Sequence, residues 1–126
     1  MKKSILIVED DGIIAFGLQS YLSSLNYIVL GIAKDGETAI EMTQNLKPDL
    51  IIMDIIIQGN INGVETCKNI KSFSSVPIIF LTGNCTEIIN NEKNCLGMPI
   101  YSKPILMEDL KIAIDNILIN QIQSKL

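Results

Sequence analysis

Five short aliphatic runs, separated by segments of helical periodicity, constrain the fold of this chain more than any other feature. The runs consist mostly of Ile, Leu and Val and cover residues 5–8, 28–33, 50–53, 78–81 and 100–102. Near-continuous runs favour parallel strands covered on both faces, because a sheet with one face in water alternates apolar and polar residues. The sequence therefore predicts an α/β fold, a doubly wound five-stranded parallel sheet with helices on both faces.

Helices are predicted between these strands. The first has an apolar stripe at helical spacing, formed by Ile14, Leu18, Tyr21, Leu22 and Leu25. The others are predicted over residues 37–46, 63–73, 86–95 and 107–123. Since the 126 residues match the usual size of one domain, we expect residues 1–126 to form a single domain without an output domain.

The last helix carries two apolar stripes. The stripe predicted to face the core comprises Leu106, Leu110, Ala113, Ile114 and Ile117. The opposite side gathers Ile112, Ile119, Ile122 and Leu126. Contiguous exposed apolar residues commonly mark an interface, so this second stripe predicts a downstream protein target or a homodimer. An Ile-rich helix end that frays without a partner is the alternative.

The charge and composition exclude several classes of function. Ten Lys and Arg against fourteen Asp and Glu give a net charge of −4, which disfavours direct nucleic-acid binding. The chain has no His, so imidazole catalysis and His-ligated metals are excluded. The three cysteines, Cys67, Cys85 and Cys95, form no CxxC pair and favour a reducing, cytoplasmic location. No apolar run approaches the ~18 residues of a membrane span.

Polar residues lie at the carboxyl ends of four predicted strands, the edge at which ligands bind in doubly wound sheets. Glu9 and Asp10 follow the first strand, Asp54 the third, Thr82 the fourth and Lys103 the fifth. Asp54 lies within a run of aliphatic residues, where an unpaired carboxylate is costly. A divalent cation would relieve the repulsion among three carboxylates, and hard oxygen ligands suit Mg²⁺. Such a site is equipped to transfer a phosphoryl group to Asp54 itself.

The chain resembles a response regulator receiver domain of the CheY-like kind over essentially its whole length. The matching segments, in order, are Ile-Leu-Ile-Val-Glu-Asp-Asp, Lys-Pro-Asp-Leu-Ile-Ile-Met-Asp-Ile, Asn-Gly-Val-Glu, Val-Pro-Ile-Ile-Phe-Leu-Thr-Gly and Ser-Lys-Pro. The resemblance implies a signalling protein of a two-component system and not an enzyme. It further implies that a histidine kinase or phosphotransfer protein phosphorylates the receiver, and that phosphorylation changes partner binding.

The resemblance also assigns roles to individual residues. Asp54 would be the phospho-acceptor and Asp10 a direct Mg²⁺ ligand, with Glu9 acting on the metal largely through water. The backbone carbonyl of Ile56 would complete the protein ligands. Thr82 would be the switch hydroxyl and Lys103 would pair with the phosphoryl group. A cis peptide is expected at Pro104, and kinase docking near Ile13 and Phe16 on the first helix.

Two segments depart from the pattern of the family. Receivers commonly have a proline where Gln58 stands and one residue fewer before Gly63, which predicts a longer and looser loop beside Asp54. The switch aromatic usually lies three residues before the lysine, but here that residue is Ile100, and Tyr101 follows it.

Three other functions stay open from the sequence. The first is a receiver fold that signals without phosphate. A Mg²⁺-dependent phosphohydrolase is less favoured, because Ile56 stands where such an enzyme would carry a second aspartate. A flavin-binding module is disfavoured because the acidic run after the first strand would repel the flavin phosphate.

Overall fold

The computed structural model describes residues 2–83 and 97–124, with the backbone alone for residues 122–124. The strands are β1 (Ser4–Val8), β2 (Ile28–Ala33), β3 (Leu50–Asp54), β4 (Ile78–Thr82) and β5 (Ile100–Ser102). The helices are α1 (Gly12–Ser24), α2 (Gly36–Leu46), α3 (Gly63–Lys71) and α4 (Met107–Ser124). The helix predicted over residues 86–95 lies outside the described residues, as do Leu126 and the side chain of Ile122.

The five strands form one parallel sheet in the order β2-β1-β3-β4-β5, which confirms the predicted fold class. Strand order reverses at β1, so the chain moves outward from β1 to β2 and then returns to β3 on its other side. This reversal opens a crevice at the carboxyl ends of β1 and β3, where open α/β sheets bind their ligands.

Each face of the sheet has its own hydrophobic core, which explains why the strands are apolar throughout. One core lies under α2 and α3 and includes Leu6, Met53, Val64, Ile70 and Phe80. The other lies under α1 and α4 and includes Ile7, Leu18, Leu22, Leu81 and Ile114. Among the described helices, none combines the length and hydropathy needed to cross a bilayer.

Two residues predicted to face the core do not. The side chain of Ile14 is 39% exposed, because α1 packs on the sheet through Ala15, Leu18 and Leu22. At this turn of α1 the small side chain of Ala15 is buried, instead of the larger side chain of Ile14 that the predicted stripe contains. Leu106 is exposed because α4 begins one residue later, at Met107.

The turn from β3 into α3 closes tightly onto the end of its own strand. The N–H of Gly63 donates to the carbonyl of Ile55 at 2.7 Å. A β-carbon at Gly63 would lie 2.2 Å from the carbonyl oxygen of Asp54 and 2.8 Å from the Cα of Ile55. Both of these atoms belong to the backbone, so neither can move aside independently. A glycine is therefore required here by close approach of two backbone segments.

We expect Gly63→Ala to lower the free energy of unfolding by about 2 kcal/mol, the usual cost of forcing an extra carbon into a packed site. Gly17→Ala is the matched control, because a β-carbon at Gly17 in α1 meets nothing within 4 Å. That control should be neutral or more stable by about 0.5–1 kcal/mol, since alanine is the better helix former. Urea denaturation of both variants measures the difference, and equal stabilities would contradict the prediction.

Candidate functional site

All five side chains predicted at the strand ends meet at the carboxyl edge of the sheet. Asp54 and Thr82 are the last residues of β3 and β4, Glu9 follows β1, and Lys103 follows β5. Together with Asp10, Asp11, Ile14, Ile56 and Gly83 they line a cavity of about 380 Å³. The sheet topology brings these residues together from positions up to 94 residues apart in the sequence.

Three carboxylates at this edge form an acidic cluster, defined here as Glu9, Asp10 and Asp54. One carboxylate oxygen from each lies within 4.8 Å of the others, so the cluster could hold a metal ion. Burial raises the pKa of Glu9, and the nearby charge of Asp54 raises it further. Hydrogen bonds from Lys103 and from the N–H of Asp11 oppose this rise without cancelling it. The cluster therefore concentrates negative charge at a site that favours a cation.

Lys103 bridges two members of the acidic cluster. Its Nζ lies 2.8 Å from Oδ2 of Asp54 and also donates to Oε1 of Glu9, which is 3% exposed. Burial alone would lower the pKa of Lys103, but its hydrogen bonds to Asp54 and Glu9 raise it overall. Lys103 therefore stays an ammonium at neutral pH and offsets part of the charge of the cluster. The Lys103–Pro104 peptide bond is cis, as the resemblance implies.

Thr82 places a hydroxyl beside these groups. Its side chain is buried, and among the described residues its Oγ1 has no hydrogen-bond partner. The backbone carbonyl of Thr82 accepts from the N–H of Lys103 at 2.8 Å, which fixes the end of β4 against the chain that follows β5. A buried hydroxyl without a partner costs free energy, and this one keeps its hydrogen-bonding capacity unused at the edge of the cavity.

The three acidic residues after β1, Glu9, Asp10 and Asp11, have two different roles. Glu9 and Asp10 belong to the acidic cluster, whereas Asp11 caps α1 by accepting from the N–H groups of Ile13 and Ile14 at 2.9 and 3.1 Å. Asp11 is therefore the N-cap residue of α1.

The loop between β3 and α3, which is longer than the family pattern, contacts two neighbouring segments. The N–H of Gln58 donates to Oδ2 of Asp10 at 3.1 Å, and Gln58 forms a β-bridge with Asp35. Gly59 follows with a φ of 105°, a backbone conformation that residues other than glycine rarely adopt. These contacts tie the loop to two neighbouring segments, and the expectation that its extra residue loosens it stays a prediction. The bond from Gln58 to Asp10 was not predicted from the sequence, and its signal there is a residue with an N–H where receivers commonly have a proline.

Thr82 and Tyr101 lie on opposite faces of the sheet. Register pairs Phe80 with Ile100 and Thr82 with Ser102, so Ile100 shares the face of Phe80 and Thr82. Ile100 packs against the core under α2 and α3, whereas Tyr101 packs against the core under α1 and α4. Ile100 therefore fills the position of the switch aromatic, and Tyr101 is not placed to respond to Thr82.

The predicted partner surfaces are exposed where the structure describes them. On α1, Ile13 is 86% and Phe16 is 67% exposed. On α4, Ile112 and Ile119 are exposed.

An apolar groove of about 500 Å³ lies between α1 and the chain that connects β5 to α4, lined by Ile14, Gly17, Leu18, Leu81, Lys103, Pro104, Ile105 and Met107. Ile14 and Lys103 also line the acidic cavity, so the groove and the cavity are adjacent.

Residues 5–115 match the family model of the response regulator receiver domain. The chain belongs to this family. This receiver is 40% identical over 111 residues to the uncharacterized transcriptional regulatory protein YrkP of Bacillus subtilis, covering 87% of this chain and 47% of the relative. It is 31% identical to the transcriptional regulatory protein PdtaR of Mycobacterium tuberculosis, covering 90% of this chain and 55% of that protein. The receiver thus spans about half the length of these curated relatives.

Solved receiver structures have the same fold. The signal receiver domain of a modulated diguanylate cyclase from Desulfovibrio desulfuricans is 31% identical, with a TM-score of 0.88 over 98% of this chain and 99% of that domain. A two-component response regulator from Clostridium difficile is 29% identical, with a TM-score of 0.84 over 93% and 96% of the two chains. The receiver therefore belongs to a family of signalling proteins of two-component systems.

We expect Mg²⁺ to raise the melting temperature of the wild type, because a cation relieves repulsion within the acidic cluster. At about ten times its Kd the ion should add about 1.4 kcal/mol of stability. Without Mg²⁺, Asp10→Asn should melt at a higher temperature than the wild type, since it removes one of the repelling charges. Adding Mg²⁺ should stabilise this variant much less.

Glu41→Gln is the matched control, because it removes one negative charge from an exposed position on α2 outside the acidic cluster. Thermal unfolding followed by circular dichroism, with EDTA or with Mg²⁺, measures all three proteins. A wild type whose melting temperature does not respond to Mg²⁺ would show that the acidic cluster is not a Mg²⁺ site.

Proposed function

We propose that this receiver is a phosphorylation-controlled signalling module of the cytoplasm. A phosphohistidine of a histidine kinase or phosphotransfer protein donates its phosphoryl group to Asp54 in a Mg²⁺-dependent reaction. The modified site then switches partner binding through Thr82 and Lys103. The observation that carries the proposal is the meeting of the acidic cluster, a bridging ammonium and a buried, unpartnered hydroxyl at one edge of the sheet, within the described residues.

The acidic cluster fits Mg²⁺ by the chemistry of its donors. Three carboxylates within 4.8 Å offer hard oxygen ligands, and Mg²⁺ usually takes few protein ligands and keeps several waters. Asp10 and Asp54 would bind the ion directly with the backbone carbonyl of Ile56, and Glu9 would act through water. When bound, the ion neutralises charge on the phosphoryl oxygens during transfer.

The residues of this chain divide the remaining work of phosphoryl transfer. Asp54 is oriented from two sides, because Oδ1 accepts from the N–H of Ile56 at 3.1 Å and Oδ2 accepts from Lys103. One of its oxygens forms the new bond to phosphorus as the bond from phosphorus to the donor nitrogen breaks. The Lys103 ammonium stabilises negative charge on the transferred group, and the Thr82 hydroxyl donates to one of its oxygens.

The exposed apolar side chains of α1 support docking of the phosphodonor beside the acidic cavity. Ile13 and Phe16 project from the helix that Asp11 caps, next to Asp10. The apolar groove continues this surface toward Pro104. An amphipathic helix binds to such a surface through its apolar face. We therefore assign this face to the helices of the histidine kinase or phosphotransfer protein.

A second surface suits the response to phosphorylation. Ile112 and Ile119 are exposed two helical turns apart on α4. They support binding of a downstream protein target or a second copy of the receiver, with Ile122 continuing the predicted stripe in sequence.

Incubation with acetyl phosphate and Mg²⁺ should add one phosphoryl group to the wild type. Intact-mass spectrometry measures the adduct, and Asp54→Asn should remain unmodified because it lacks the nucleophilic carboxylate. Excess EDTA should abolish labelling of the wild type, since the acidic cluster would then lack its cation.

Asp49→Asn is the matched control, because Asp49 hydrogen-bonds to Ser4 at the start of β1, at the opposite end of the strands from Asp54. It should be labelled as well as the wild type. An unlabelled wild type, under conditions in which another receiver is labelled, would favour a phosphate-independent interaction module. Labelling of Asp54→Asn would place the modification on another residue.

Phe16→Ser should slow phosphoryl transfer from a kinase while leaving labelling by acetyl phosphate unchanged. Loss of an aromatic anchor at an interface commonly costs enough free energy to reduce the rate by about tenfold. The donor is the kinase that labels the wild type fastest in a panel of autophosphorylated histidine kinases. Phe73→Ser removes another exposed phenylalanine, just beyond the end of α3, and should transfer normally. Equal rates for all three proteins would remove α1 from the docking surface.

A further inference from the structure

We propose that the backbone N–H of Gln58 positions the carboxylate of Asp10 for Mg²⁺ binding, so that the loop between β3 and α3 sets the affinity of the metal site. Gln58 is a positioning residue in this role, and it acts through its main chain. The inference rests on the proposed Mg²⁺ site and adds a determinant of its affinity from outside the acidic cluster.

Each carboxylate of the acidic cluster accepts one backbone hydrogen bond. Glu9 accepts from the N–H of Asp11 at 3.2 Å, and Asp54 accepts from the N–H of Ile56 at 3.1 Å. Both donors lie two residues after their acceptor, so these bonds form within one short turn. Asp10 accepts from Gln58 at 3.1 Å, across 48 residues of sequence. Its orientation therefore depends on the position of a different loop.

Asp10 depends on this bond more than its neighbours depend on theirs. Glu9 is buried and Asp54 is partly buried, and Lys103 holds both of them. The side chain of Asp10 is exposed, and the hydrogen bond that the structure gives its carboxylate comes from Gln58. An exposed carboxylate without a fixed partner samples several rotamers, and ordering it costs free energy when a ligand binds.

The loop makes its own contacts with a neighbouring segment, so it can act as a support. Gln58 forms a parallel β-bridge with Asp35, the residue that caps α2. The chain then turns at Gly59, where a β-carbon would lie 3.3 Å from the β-carbon of Asp35. These contacts hold the N–H of Gln58 at the edge of the acidic cavity. A carboxylate that accepts from this N–H with one oxygen keeps its other oxygen for a cation.

The donor belongs to the main chain, which gives the inference a specific test. Any residue at position 58 except proline supplies the N–H. Gln58→Pro removes the donor, whereas Gln58→Ala removes the side chain and keeps the donor. We expect Gln58→Pro to bind Mg²⁺ about tenfold more weakly than the wild type, the lower end of the usual effect of removing an outer-shell partner of a metal ligand. Gln58→Ala should bind as the wild type does.

Isothermal titration calorimetry with MgCl₂ measures the affinity of each 126-residue protein without any phosphodonor. Because proline also restricts the backbone, a second variant replaces the amide between Ile57 and Gln58 with an ester. Ligation at Cys67 makes this protein accessible, and the ester removes the N–H without adding a ring. Its Mg²⁺ affinity should fall as that of Gln58→Pro does, with a cooperative thermal unfolding transition in EDTA marking an intact fold.

The outcomes separate this inference from the proposed function. A wild type that binds Mg²⁺ and an ester variant that binds it equally well would overturn the role of Gln58 and leave the metal site standing. Equal weakening in Gln58→Ala would overturn it as well, because the side chain would then be responsible. A wild type that does not bind Mg²⁺ would overturn the metal site and this inference together.

Discussion

The ammonium of Lys103 between Glu9 and Asp54 is the interaction on which the edge of the sheet depends. Glu9 is almost completely buried, and a buried carboxylate without a partner is strongly unfavourable. The ion pair with Lys103 stabilises the buried carboxylate of Glu9, and the same ammonium also pairs with Asp54. The same charges that would destabilise the fold if unpaired are those that a cation and a phosphoryl group would use. Stability and the proposed chemistry thus draw on one set of contacts.

Backbone groups set the geometry around these charges. Three main-chain amides orient the three carboxylates, and the carbonyl of Thr82 fixes the chain that carries Lys103. Gly63 allows α3 to begin against the end of β3, next to Asp54. Side chains supply the reactive groups of this site, but the turns between the elements determine where those groups point.

The fold and the members of the site could be predicted from the sequence because both follow from strong signals. Aliphatic runs mark buried parallel strands, and polar residues such as Asp54 and Thr82 stand out at their ends. Main-chain contacts are harder to predict, because the N–H of Gln58 is common to nearly every residue type. The exposure of Ile14 depends on how α1 rotates on the sheet, and a stripe at helical spacing fixes that rotation only to within one residue.

The placement of Tyr101 shows a different limit. The family spacing from Lys103 leads to Ile100, which is not aromatic, while the aromatic Tyr101 lies one residue further on. Strand register decided between them, because alternation along β5 places Ile100 on the face of Thr82. Pairing partners are a property of the assembled sheet and cannot be read from either strand separately.

The shared wall between the apolar groove and the acidic cavity has a consequence for the order of events in signalling. Ile14 and Lys103 line both spaces, so a protein seated in the groove would lie directly beside the cavity that contains Asp54. In the proposed function, the phosphodonor and any protein that recognised phosphorylated Asp54 through α1 would compete for the same surface of α1. If Asp54 accepts a phosphoryl group as proposed, the donor would have to leave before such a protein could bind, and the phosphoryl group would be open to water in the interval. A target bound through α4 would avoid this competition and could remain in place throughout the cycle.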